Sequence, residues 1–157
     1  MLPLIGVIAL FALSLQQPAI LFRQVSTGPG GVEFPAGHVI KTGMQMAFGG
    51  LFGPFFGNFA GLANPLLLAG CILILLRRTR GAILCLAFAV PLALQTFQLK
   101  SMPYYEDEGG VMLSYMVHPL AGWYCWFGAI LLALTLAIVE HFSLRRQSTR
   151  SKVNQPL

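Results

Sequence analysis

The sequence predicts an all-α integral membrane protein, a bundle of four transmembrane helices with a short external interfacial helix. Three observations predict it. Of 157 residues, 56% are hydrophobic and only 10% are charged, against about 25% charged in a soluble domain. Four stretches of about 20 residues, enough to cross a bilayer, contain no Lys, Arg, Asp or Glu. The basic residues gather in short clusters beside those stretches, where the positive-inside rule puts cytoplasmic ends. The net charge of +5 therefore reads as membrane orientation and not as nucleic-acid binding.

The first span is expected over residues 2–22, "LPLIGVIALFALSLQQPAILF". It reads as a retained anchor, because a basic leader and a small-x-small cleavage site are both missing. Residues 23–53 form an external loop that begins "RQVSTGPGGVEFPAGH", a composition of turn formers. Within it Ile40, Met44, Ala47, Phe48 and Leu51 recur at helical spacing, which predicts an amphipathic helix lying at the outer membrane–water interface.

The second span is expected over residues 54–76, opened by Pro54 where a missing N–H costs nothing. The tight turn at Arg77, Arg78 and Arg80 joins it to a third span over 81–99 as an antiparallel hairpin. Residues 100–119 form a second external loop with the acidic stretch "YYEDEGG". Glu106, Asp107 and Glu108 are consecutive there and read as a solvated acidic loop. The fourth span covers 120–139, and residues 143–157 form a basic tail beyond a membrane domain of residues 1–142. The 77–80 turn and the tail hold seven basic residues, against Arg23, Lys41 and Lys100 in the other connections. That asymmetry puts the turn and both termini in the cytoplasm.

Residues 49–65 read "GGLFGPFFGNFAGLANP", with glycine at every fourth position from 49 to 61. Gly49, Gly50 and Gly53 precede Pro54 and read as turn residues. Gly57 and Gly61 fall on the expected span as one GxxxG step, a place for close backbone approach. Pro65 should leave the carbonyl of Gly61 without a donor, an expensive state in lipid. Asn64 carries an amide able to supply a local or interhelical donor, and Asn58 adds another near the outer end. Pro18 and Pro91 should kink spans one and three in the same way. Two readings follow for Gly57, Asn58, Gly61, Asn64 and Pro65: kinked helices whose amides satisfy one another, or a pocket for a small molecule or lipid. Trp123, Tyr124 and Trp126 open the last span and read as anchors at the headgroup level.

Cys71, Cys85 and Cys125 all lie in apolar runs and read as small buried side chains. His38, His118 and His141 are not expected to face one another within the spans. The sequence thus points to no catalytic residue, no cofactor-binding residue and no metal ligand.

"GNFAGLANPLLLAG" before the Arg-rich turn, and "GWYCWFGAILLAL" in the last span, resemble segments of a group of small bacterial inner-membrane proteins with no assigned function. The resemblance implies a bacterial inner-membrane protein of four spans, and implies no activity.

The functional expectation is a non-enzymatic inner-membrane protein whose partners are membrane lipid or another membrane protein. It would serve as an accessory subunit, an assembly factor or a protective protein. The competing expectation is a small-solute transporter or channel subunit lined by kinked helices with Asn58 and Asn64.

Overall fold

The computed structural model describes residues 2–28, 31–106 and 111–153. The chain opens with helix α1 (Leu2–Gln16) and turns at Pro18 into a hairpin of β1 (Pro18–Thr27) and β2 (Glu33–Thr42). Helix α2 (Gly43–Phe52) follows, then two single 3-10 turns and α3 (Ala63–Leu75). The Arg-rich turn leads into α4 (Thr79–Leu94), which continues as a 3-10 segment, Gln95–Lys100. Strands β3 (Tyr104–Tyr105) and β4 (Met112–Pro119) precede the long α5 (Ala121–Val153).

This architecture corrects the expected all-α bundle of four spans. All four strands join in one antiparallel sheet of order β2-β1-β4-β3. Among the described residues two helices are long and apolar enough to cross a membrane, Thr79–Lys100 and Ala121–Arg146. A third crossing is available only if Gly43–Phe55 and Ala60–Leu75, bent by 120° at their junction, count as one span.

The expected span over residues 2–22 fails at Pro18. Helix α1 is 15 residues long, about 22 Å at 1.5 Å per residue, which is short of a hydrocarbon core of about 30 Å. The apolar run "AILF" beyond it belongs to β1, where Ala19, Ile20 and Phe22 are buried. Hydropathy alone reads a buried strand and a buried helix alike. Pro18 is thus the first residue of a strand and not a kink.

The expected span over residues 54–76 fails at Gly57. Its φ is +77°, a left-handed conformation that closes the 3-10 turn Gly53–Phe56 and that glycine adopts without steric cost. Asn58 then accepts the Ala60 N–H at 2.9 Å through its side-chain oxygen, so it caps a new turn instead of lying mid-helix. Pro65 falls in the first turn of α3, where no intrahelical bond is lost. Gly57 and Gly61 therefore share no helix, and the expected GxxxG step does not exist. Gly61 meets another glycine instead: a Cβ added there would land on the Gly50 carbonyl.

Helix α2 begins where the periodic apolar residues begin. Thr42 and Gln45 form a capping box, each side chain answering the other's backbone N–H. Met44, Phe48, Leu51 and Phe52 are exposed along it, and Ile40 belongs to β2. Helix α5 runs without a break from Ala121 through Val153, so residues 143–153 of the expected tail continue the last helix.

Packing divides the molecule into two cores. In the helical part, α1 packs on α5, α3 on α4 and α4 on α5. The buried faces combine small and large residues: Ala82, Ala89 and Ala93 with Leu86 on α4, and Ala129, Ala133 and Ala137 with Ile130 on α5, are fully buried. The outer faces carry large ones, including Leu84 and Phe88 on α4 and Leu131 and Phe142 on α5, all exposed. The alanines on the buried faces allow close backbone approach, which favours helix association in lipid. The second core lies under the sheet, where Ile20, Phe22, Leu99, Met116 and Trp123 meet.

The two ends differ. His141 and Thr79 lie 2.9 Å apart, which ties the Arg-rich turn to the far half of α5. The sheet, α2 and the 3-10 segment after α4 occupy the opposite end.

Candidate functional site: a cavity between the sheet and the helices

Where the two cores meet, the walls leave a cavity of about 90 Å³. Its lining comes from α1, β1, α2, the turns before α3, the end of α4 and the start of α5. Most of that lining is apolar or glycine, including Phe11, Ile20, Met46, Gly50, Leu99 and Met102. A single water needs about 10–15 Å³ of such space, so the cavity suits a small molecule or the end of a chain and not a whole lipid.

The sequence-predicted residues divide around it. Asn58, Gly61 and Asn64 line the cavity, and so do Trp123 and Trp126. Gly57 and Pro65 do not line it; they shape the chain beside it. Tyr124 keeps an outward face at 60% exposure. The two tryptophans expected at the headgroup level turn inward instead. Trp123 is buried at 6% exposure, stacked on Phe127 at 5.1 Å and edge-on to Phe97 at 5.1 Å.

Trp126 donates its indole N–H to the Asn64 side-chain oxygen at 2.7 Å. Asn64 thus makes the interhelical bond its position suggested, as an acceptor and not as the expected donor to a freed carbonyl. The bond joins α3 to α5 at the cavity wall.

Polar groups around the cavity are otherwise turned toward the backbone. Ser14 donates to the Phe11 carbonyl at 2.6 Å and Thr96 to the Ala93 carbonyl at 2.8 Å. Two donors in its wall have no hydrogen-bond partner among the described residues: the Asn58 amide nitrogen and the Trp123 indole nitrogen. Asn58 has its oxygen committed to Ala60, which fixes the amide with its nitrogen left over.

Sequence reasoning missed three participants. Gln95 accepts the Phe59 N–H at 3.1 Å and holds the chain break against α4. Its signal was a polar "QTFQ" closing an apolar run. Gly50 gives Gly61 its close approach, and it read as a loop glycine. The buried seam Ala129, Ala133 and Ala137 was visible as small residues at every fourth position of the last span.

A polar clasp crosses the sheet outside the cavity. The Glu106 carboxylate takes the Lys41 ammonium at 2.8 Å and the Ser114 hydroxyl at 2.6 Å on one oxygen. Desolvation pushes the Glu106 pKa up. Hydrogen bonds from Lys41, Ser114 and Gln24, with the Lys41 charge, outweigh it and hold the carboxyl below its ordinary value. Strands β1, β2 and β4 are thereby fastened to the residue that follows β3. Asp107 and Glu108, the rest of the expected acidic loop, lie outside the described residues.

Among the described residues no group of three or more His, Cys, Asp or Glu could hold a metal ion. Fold and cavity together define a class: a short helical bundle with outward-facing apolar side chains, capped at one end by a sheet over a small apolar chamber. No family model matches the chain, and neither a curated protein nor a solved structure does.

Proposed function

We propose that this protein is a non-enzymatic membrane protein that holds an apolar ligand, of lipid character, in the chamber between its sheet and its helices. The observation that carries the reading is the chamber's composition and its place at the ends of the long apolar helices. It is lined by both tryptophans, and by residues from the sheet-side ends of both long apolar helices. For helices that cross a bilayer, such ends lie where hydrocarbon gives way to headgroup. The exposed apolar face of α2 beside it supports the same level. Arginines at the opposite end support a cytoplasmic side there, and the resemblance noted in the sequence supports a bacterial inner membrane. An accessory or protective role follows from ligand holding without chemistry.

The chain has two tryptophans and both line the chamber, so intrinsic fluorescence reports on its occupant. A brominated fatty-acid ester added to the detergent-purified protein is expected to quench that fluorescence saturably, and an unbrominated ester is expected to reverse the quenching. Filling the chamber with Ala47→Phe should abolish the saturable part. Quenching that is linear with probe, and identical in Ala47→Phe, defeats the reading.

A further inference from the structure

We infer that the chamber selects its ligand by a hydrogen-bond acceptor, and that the ligand class is an acyl ester or another carbonyl-bearing lipid. This inference rests on the ligand-holding function proposed above. The buried side-chain atoms of the wall that lack any partner among the described residues are donors. Asn64 oxygen is taken by Trp126, Asn58 oxygen by Ala60, and Ser14 and Thr96 point their hydroxyl protons at backbone carbonyls. The Asn58 amide N–H and the Trp123 indole N–H are both shielded from solvent and both without a partner among the described residues.

A buried donor without a partner is expensive, and native proteins rarely keep one. Two in one wall, beside one cavity, point to an occupant that supplies acceptors. An alkylammonium ion or a bare hydrocarbon supplies no acceptor, whereas a carbonyl oxygen has two lone pairs and can accept from either donor. The level agrees. Trp123 stands in the first turn of α5, at the depth where spans begin, and ester carbonyls of membrane lipids lie between the headgroups and the hydrocarbon. Indole N–H groups in buried settings characteristically find such a partner.

The test compares three brominated probes of equal chain length by tryptophan quenching: a fatty-acid methyl ester, a bromoalkane and a bromoalkylamine. The ester is expected to bind about tenfold more tightly than the alkane, the factor that ~1.4 kcal/mol represents. Trp123→Phe keeps an aromatic ring, removes the N–H and leaves Trp126 as reporter; it should erase most of the ester's preference over the alkane. Asn58→Asp keeps the oxygen that accepts from Ala60 and replaces the donor, and it should lower the ester's affinity relative to the alkane's. Equal affinity for ester and alkane in the wild type, or a preference untouched by both variants, overturns the acceptor inference and leaves ligand holding intact; water then suffices for the two donors. Absence of saturable binding by every probe overturns both.

Discussion

At the scale of single residues, the bond between Trp126 and Asn64 and the clasp at Glu106 govern stability at opposite faces of the sheet-side end. Interhelical side-chain hydrogen bonds in membranes average ~0.6 kcal/mol, with a maximum near 1.7. Asn64→Leu is therefore expected to lower the melting temperature in detergent without preventing insertion, by a loss within that range. In a double-mutant cycle Trp126→Phe should cost little more once Asn64 is already Leu, because the shared bond is gone; strictly additive losses would refute direct coupling. Glu106 gives a pH signature. Its pKa is lowered in the folded protein, so its contribution is complete above the unfolded value of about 4.3 and is lost as pH falls through the folded one. A thermal series from neutral pH downward should show stability dropping below that range in the wild type. Glu106→Gln should be less stable at neutral pH and lose part of the acid-dependent drop. Parallel curves for the two proteins would remove Glu106 from the account.

At the scale of elements, the break between α2 and α3 is the decisive local structure, and two glycines in it act by different physics. Gly61 lacks room: a Cβ there meets the Gly50 backbone, so Gly61→Ala must push the turn off α2, and overpacking of this kind costs about 1–3 kcal/mol. Gly57 has open space but a φ of +77°, so Gly57→Ala meets only the left-handed penalty of about 1–2 kcal/mol. The two variants should separate by tryptophan fluorescence, since Gly61 lines the chamber and Gly57 does not. An unchanged emission maximum in Gly61→Ala would argue against the contact with Gly50. The same segment sets the limit of what was legible in the sequence. Helices α4 and α5 and the Arg-rich turn could be read, because their apolar runs are long and end in charge. Asn58 and Asn64 could be singled out as amides in apolar surroundings and Gly61 as a point of close backbone approach, whereas Trp123 and Trp126 stood out only as headgroup-level anchors. The break itself could not be read, because a window of hydropathy registers neither a left-handed glycine nor an asparagine that caps the next turn. For the same reason β1 was absorbed into the first helix. Its apolar residues are buried between layers, and "PAILF" carries no period that separates strand from helix over so short a run.

At the scale of the whole molecule, the four-span arrangement gives way to two long helices, a short α1, a bent pair and a sheet built from both intervening loops. The sheet makes those loops one body, which hydropathy treats as two unrelated external segments. Single cysteines introduced at Val32 and at Arg80, in a background without Cys71, Cys85 and Cys125, test the orientation proposed above. In intact cells with a permeabilised outer membrane, an impermeant thiol reagent should label the Val32 site and leave the Arg80 site until the inner membrane is opened. Labelling in the reverse order would invert the orientation; simultaneous labelling would argue that the helices do not separate two compartments.

The pairing of β1 with β4 also sets an order of assembly. Val25 lies opposite Leu113, so the central ladder joins residues separated by most of the chain. A ribosome adds about 5–20 residues per second, and β1 therefore waits for several seconds with one edge exposed after it emerges. During that interval α3, α4 and the Arg-rich turn must be delivered and threaded before β4 can arrive. The hairpin with β2 covers the first edge early, since its partner follows at once. The second edge stays open to strangers, and a chaperone or a second nascent copy has its best opportunity there. Completion of the molecule is thus a closing stitch, made from the last strand to the first.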